Sequence, residues 1–401
     1  MRRIPLLALL GACLTLAACG GGGGGGGIKT VTVPTAGTPK AAQQLGIPVI
    51  ATKNTTRIAG GDPIADAAGV AQAVYPAAAA GTHPTAVTIA PTDDWQGALA
   101  SAVLMSAPIK APVLLSGRSS LPSATYDALT TLAPTGARAI GGTQVIRVGD
   151  VPPIKGAKTA AIPASDPYKL AAAIDHYASV AAGKPSSDVV VASASNDDSA
   201  YAMPAAGWAA ESGDPILYVS HSDIPQPTKQ ALQEHSKPNI YVLGPASAVS
   251  NDVVKQLGKY GKVKRVGGSD PAANSVAFAT YRDPACPVNQ PCAHVPGSFG
   301  WAMRSPGHGY VLLNSKRTLD AAAAAPLSAS GSYGPALLLD KPGALPTSVL
   351  NFFLDYATPG FTQEGPTVAV YNHGWVIGDV AAVSVGVQAQ MDNLLEAVPQ
   401  K

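Results

Sequence analysis

The sequence repeats itself with a long period. Asp-Pro pairs stand at Asp62-Pro63, Asp166-Pro167 and Asp270-Pro271, 104 residues apart each time. Asp93-Asp94 returns 104 residues later as Asp197-Asp198, and Arg57-Ile58-Ala59-Gly60 returns as Arg265-Val266-Gly267-Gly268 after twice that distance. Val242-Leu243-Gly244 with Ala248-Val249-Ser250 matches Val376-Ile377-Gly378 with Ala382-Val383-Ser384 in spacing residue for residue. A block repeated this way folds as one supersecondary unit that packs on its neighbours. The period divides the body into units 57–160, 161–263 and 264–399, the third lengthened by insertions at 284–300 and 358–365 that read as surface loops from their Pro, Gly and small residues.

Every unit has the same order of signals. Asp-Pro opens an Ala-rich helix such as 168–182, with Asp as the cap and Pro in the first turn. Short apolar strands follow at 87–90, 188–192 and 310–313, then a polar loop, a second Ala-rich helix and a further buried strand at 112–115, 215–219 or 335–339. Leu121-Pro122, Ile224-Pro225 and Leu345-Pro346 start a third helix, which leads to a strand ending in Gly. Strands alternating with helices need crossover connections. The expected fold is therefore α/β: three tandem units of about 104 residues, each a small, mostly parallel sheet flanked by helices. Only 13 % of the 401 residues are charged, against about 25 % in ordinary soluble domains, which fits strands covered on both faces.

Arg2 and Arg3 precede an apolar run over 4–16 that suits a secretory signal peptide and is too short to span a bilayer. Leu16-Ala17-Ala18-Cys19 resembles the lipobox of bacterial lipoproteins, which implies removal of residues 1–18 and lipidation of Cys19. Eight glycines, Gly20 to Gly27, begin a tether that runs to residue 56. Its 37 residues, as a flexible coil, reach roughly 30–35 Å. The chain is thus expected to be exported and held at the cell membrane by acyl chains, facing the wall or the exterior. Without Arg2 and Arg3 the 27 basic residues become 25, against 25 acidic ones, which argues against a nucleic-acid partner. Cys286 and Cys292 then remain in the body, and in an oxidising exterior they are expected to pair as a local disulfide staple contributing about 2 kcal/mol. Cys286, Cys292, His294 and His308 could instead ligate zinc, but their spacing matches no standard site.

These landmarks resemble the cell wall-binding repeat family of Gram-positive surface proteins. The residues that carry the resemblance are Arg57 to Asp62 and Arg265 to Asp270 at the unit starts, Asp320-Ala321-Ala322 in mid-unit, Ala111 to Ser116, and the turns at Ile140-Gly141-Gly142 and Ala248-Val249-Ser250. The resemblance spans about 57–399 and implies three α/β units in a pseudo-threefold arrangement, non-covalent binding to anionic wall polymer or a peptidoglycan-associated glycan, no catalysis and no cofactor. Three departures stand out: Pro follows each opening Asp in place of Arg-Tyr, Ala161 stands near the second opening Arg, and Gly97 and Tyr201 replace the mid-unit Asp. The first unit also lacks a last helix, because 148–153 carries Gly and two prolines.

Candidate contacts follow from where charge collects. Asp62, Asp166 and Asp270 read as helix caps, worth about 1 kcal/mol each over Ala. Asp93-Asp94-Trp95 and Asn196-Asp197-Asp198 follow strands, at the carboxyl ends where ligands settle in open α/β sheets, and they also suit capping of the next helix. The third unit has Lys316-Arg317-Thr318 there. Lys255, Lys259, Lys262, Lys264 and Arg265 put five positive charges within eleven residues; the first two share a face of an expected helix over 253–260, so a solvated face competes with an anion site. The polymer-binding set is accordingly Arg57, Asp93, Asp94, Asp197, Asp198, Lys255, Lys259, Lys262, Lys264, Arg265, Arg317 and Asp320. No nucleophile elbow or phosphate loop occurs, and the histidines are scattered, so an envelope hydrolase lacks support. A solute-binding lipoprotein of a transport system is the alternative, and it requires two lobes and a hinge.

Overall fold

A computed structural model of the protein describes residues 49–164, 166–283, 298–331, 334–361, 365 and 370–399. The expected signal peptide, Cys19, most of the expected tether, Cys286 and Cys292 lie outside the described residues. The chain runs β1 (Val49–Ala51), β2 (Thr55–Ile58), α1 (Pro63–Val74), β3 (Val87–Pro91), α2 (Trp95–Ala100), a 3-10 turn (Ser101–Met105), β4 (Val113–Ser116), α3 (Ser123–Leu132) and β5 (Val145–Val148). It continues through β6 (Thr159–Ile162), α4 (Pro167–Ala182), β7 (Asp188–Ser193), α5 (Ser199–Ser212), β8 (Ile216–Val219), α6 (Gln226–Glu234), β9 (Asn239–Leu243) and α7 (Asn251–Leu257). The last part is β10 (Lys262–Val266), α8 (Pro271–Thr280), β11 (Gly309–Asn314), α9 (Leu319–Ser328), β12 (Ala336–Leu339), α10 (Thr347–Phe352), β13 (Gly360–Phe361), β14 (His373–Ile377), α11 (Val385–Leu394) and β15 (Val398–Pro399).

The local signals act as the residue chemistry requires. Asp62, Asp166 and Asp270 each accept a hydrogen bond from the backbone N–H three residues on, at 2.8–2.9 Å, and Pro occupies the first turn of α1, α4 and α8. Pro122, Pro225 and Pro346 sit at the N-caps of α3, α6 and α10. Thr125 and Thr228 then donate back to the carbonyls of Leu115 and Tyr218, tying the third helix of two units to the strand before it. The first strands β3, β7 and β11 are buried along their whole length.

The sheets are out of phase with the sequence period by one strand. The first sheet has the order β4-β3-β5-β6, the second β8-β7-β9-β10, and the third β12-β11-β14-β2-β1. All pairings in these three sheets are parallel except β1 with β2. So the strand that opens the second Asp-Pro block completes the first sheet, and the strand that opens the third completes the second. The third sheet is completed by β2, which comes from the other end of the chain and pairs with β14 from Gly374↔Thr55 to Ile377↔Ile58. The helices follow the same cycle. The helices after the first strands, α2 with its 3-10 turn, α5 and α9, pack on one another at the centre. Each of α1, α4 and α8 packs on the central helix of the sheet that its preceding strand joined: α1 on α9, α4 on α2, α8 on α5. Among the described residues the three sheets form one closed cycle rather than the two lobes that the solute-binding alternative requires.

Arginines latch two of the three junctions. Arg57 on β2 is fully buried; its Nη1 donates to the carbonyls of Gly378 and Asp379 at 2.8 and 3.0 Å, its Nη2 to that of Ser384 at 3.3 Å, and its Nε to Gln388 Oε1 at 2.8 Å. Arg265 on β10 repeats this against Gly244 O at 2.8 Å and Val249 O at 2.6 Å. Gly244 and Gly378 both have positive φ, which lets the loop turn its carbonyls toward the guanidinium. At the first junction Ala161 stands on β6, and no helix lies between β5 and β6 among the described residues.

Arg57→Ala leaves the buried carbonyl of Gly378, the half-buried carbonyls of Asp379 and Ser384, and buried Gln388 without their charged partner. It should therefore lower stability in urea titration by about 3 kcal/mol, and the half-buried Arg265→Ala by about half as much. Equal, sub-kcal losses would contradict the latch.

Candidate functional site

The loops after the first strands meet at the carboxyl ends of the sheets, and they touch one another. Trp95 Nε1 donates to Asn196 Oδ1 at 2.8 Å, and Gln96 Nε2 to Ala194 O at 2.8 Å. Tyr218 Oη donates to Gln96 O at 3.0 Å, with the Trp95 and Tyr218 rings edge to face at 5.6 Å. Ser199 Oγ and Thr318 Oγ1 share a hydrogen bond of 3.0 Å. Arg317 reaches across to Asp66 on α1 while its Nε donates to Asp320 at 2.6 Å. The face presented to solvent carries Asp93, Asn196, Asp197, Lys316 and Arg118, with Trp95 half-buried between them. Mixed charge, an amide and an aromatic edge suit hydroxyl-rich ligands better than a purely anionic one. Among the described residues no group of three or more His, Cys, Asp or Glu side chains is placed to hold a metal ion.

The polymer-binding set divides by placement. Asp93, Asp94, Asp197, Asp198 and Arg317 are brought to this face. Asp94 caps α2 through Gly97 N at 2.9 Å, and burial raises its pKa. Asp93 pairs with Arg118, which also reaches Asp150 at 3.4 Å. Asp198 accepts from Ser193 Oγ at 2.8 Å, and Asp197 is exposed. Arg57 and Asp320, expected as ligand contacts, are fully buried, one as a junction latch and the other as a partner of Arg317, so neither reaches solvent. The basic cluster stands apart. Helix α7 ends at Leu257, with Gly258 as its cap, so Lys259 lies beyond it and does not share a helical face with Lys255. Lys262 and Lys264 alternate with half-buried Arg265 along β10, an edge strand that lysines keep from pairing further. Lys264 is engaged by Asp283 at 3.0 Å.

Asp66 was not a sequence-derived candidate, although a lone carboxylate in the Ala-rich α1 is itself a signal. It is fully buried, accepts from Gly60 N at 2.8 Å and takes Arg317 on its other oxygen. Burial raises the Asp66 pKa, with Asp320 adding repulsion; burial also raises that of Asp320 and outweighs Arg317. Two carboxyls thus face one guanidinium, and the group retains a proton well above the ordinary carboxylate range. Asp214, accepting from Trp208 Nε1 at 2.7 Å and from Ser186 Oγ at 2.6 Å, is pushed up to about 6 by burial. For His235, burial alone would lower the pKa, but Asp175 at 2.8 Å and the Ser186 carbonyl at 2.7 Å raise it overall.

Residues 162–254 match the family model for Cell wall binding domain 2 (CWB2), a window that opens on the last residue of β6 and closes inside α7. Among solved structures, the fold is similar to Cwp6 from Clostridium difficile, with a TM-score of 0.63, 16 % sequence identity, and coverage of 82 % of this chain and 46 % of that one. It is also similar to Cwp8 from Clostridium difficile, with a TM-score of 0.62, 17 % identity, and coverage of 86 % and 53 %. The chain spans about half the length of these two proteins. No curated protein matches it in sequence.

Two predictions follow from the buried charges. In the unfolded chain Asp loses its proton near 3.8 and His near 6.5. Asp66, Asp320, Asp214 and His235 hold theirs to higher pH when folded, so their stabilisation is complete below those values and is lost as pH rises toward the folded ones. The contribution of these groups to the thermal midpoint should therefore fall as pH rises from about 4 to about 8, the folded value of Asp66; a flat or rising profile contradicts the assignment. Arg317→Met strands two buried carboxyls and should cost about 3–5 kcal/mol by urea titration, whereas exposed Asp93→Asn should change stability by less than about 1 kcal/mol. The match over 162–254 supports a cell wall-binding repeat family for that segment, in a chain whose fold is similar to that of the two Cwp proteins.

Proposed function

We propose that this is a cell-envelope protein that binds cell-wall polymer non-covalently through the face built by the loops after β3, β7 and β11, and that Cys19 with its tether holds it at the membrane. The observation that carries the reading is the mutual contact of those loops, Trp95 with Asn196 and Ser199 with Thr318, at the carboxyl ends of three equivalent sheets. The family match over 162–254 and the likeness in fold to two proteins named as Cwp6 and Cwp8 support it. A polymer bridging three similar loops gains avidity from weak single contacts, which suits a chain with no large net charge. Asp93, Asp197, Asn196 and Lys316 supply hydrogen bonds, and Trp95 supplies an apolar edge. The role is binding rather than catalysis. No helix among the described residues is long and apolar enough to cross a membrane, and the proposed attachment is the lipid on Cys19.

The test is retention of Cys19→Ser protein on walls isolated from the producing organism. Wild-type loops should be retained at low salt, and Trp95→Ala with Asp197→Ala should weaken retention at least about tenfold while the fold is kept. A folded protein that passes through unretained would remove the reading.

A further inference from the structure

At the opposite, amino ends of the strands, two repeat-related grooves open. The first, about 540 Å³, lies between the end of α3, with Tyr126, Leu129 and Ala133, and the segment just ahead of β6, with Pro153, Ile154 and Lys155. The second, about 400 Å³, lies between the end of α6, with Leu232, Ser236 and Lys237, and the segment just ahead of β10, with Lys259 and Tyr260. Leu129 and Leu232 are 103 residues apart, as are Thr125 and Thr228, so the grooves occupy one structural position in two successive units. The chain at their floor turns through positive φ at Ala133 in one and at Ser236 and Lys237 in the other. At the equivalent place in the third unit stands Phe353, fully buried, its ring edge to face with Tyr310 at 5.5 Å.

Both grooves carry the same chemistry. Each has a tyrosine, and Tyr126 is 60 % exposed although its side chain is large and apolar over most of its surface. Each has lysine at the rim, and Lys155, Lys237 and Lys259 enter no ion pair among the described residues. Lys237 Nζ is instead held on the carbonyl of Lys259 at 2.9 Å, with donors to spare. A tyrosine face packs the C–H side of a sugar ring, hydroxyl and amide groups such as Thr130 and Gln233 bond its hydroxyls, and an ammonium group meets an anionic substituent. We infer that these grooves are a pair of subsites for acidic sugar residues of a repeating glycan, spaced by the rotation that relates the first two units. The inference rests on the wall-binding reading and adds to it a second face and a ligand class. Two related subsites engage one repeating chain with the avidity of a linked pair.

The test uses folded Cys19→Ser protein with the substitutions Tyr126→Ala/Lys155→Gln, Tyr260→Ala/Lys259→Gln, and all four together, each checked by thermal midpoint. On isolated walls each pair should weaken binding about tenfold and the four together about a hundredfold or more, with a reduced salt dependence. Tetragalacturonate should shift amides at both grooves, and maltotetraose should not. Wild-type retention with a fourfold variant that binds equally well overturns the grooves and leaves the wall reading standing. Absence of wild-type retention removes the wall reading itself. Absence of saturable shifts with tetragalacturonate overturns the acidic-sugar assignment.

Discussion

The pairing of β2 with β14 makes the other arrangements possible. Repeat arrays in which each unit touches only its neighbours have two weak ends, where one unit lacks a partner. Here the strand at residues 55–58 enters the sheet built from residues 309–377, so every sheet receives its last strand from the following Asp-Pro block and the third receives it from the first. The first helices repeat the handover, with α1 packed on α9. Asp66 and Arg317, 251 residues apart in sequence, join across the closing junction. The carboxyl-end loops touch one another within this cycle, Trp95 against Asn196 and Ser199 against Thr318.

Two oddities of the first unit become one fact. Where an arginine opens a block, its guanidinium collects the carbonyls of the turn that begins the preceding last helix: Arg57 with the turn before α11, Arg265 with the turn before α7. Where Ala161 stands instead, no such helix forms, and the segment through Pro153 to Lys155 lies open beside α3. The missing charge and the missing helix are two sides of one junction.

The sequence shows the elements more readily than their assembly. Asp-Pro caps, Pro-started helices and short apolar strands are local signals, and the structure follows them closely, from α4 to the strand ends at Gly244 and Gly378. Strand donation is not local. Nothing in 55–58 reveals that its partner is 373–377, so the sheets run one strand out of phase with the period. For the same reason Arg57 and Asp320 look like surface contacts in a sparsely charged chain, yet each is buried with its own partners. The Asp-rich loops are legible as lying together at the carboxyl ends of the sheets because they follow buried strands. The grooves are not, because they depend on how two segments distant in sequence frame a space.

Closure is tested most directly by native-state hydrogen exchange of the Cys19→Ser protein in low denaturant. If β2 is integral to the third sheet, the amides of Thr56 to Ile58 and those of Val376 and Ile377 should open together with the central strands β3 and β7, in one cooperative unit at the global stability. Exchange of β2 at a far lower free energy, with β14 and the other sheets still protected, would contradict a closed cycle.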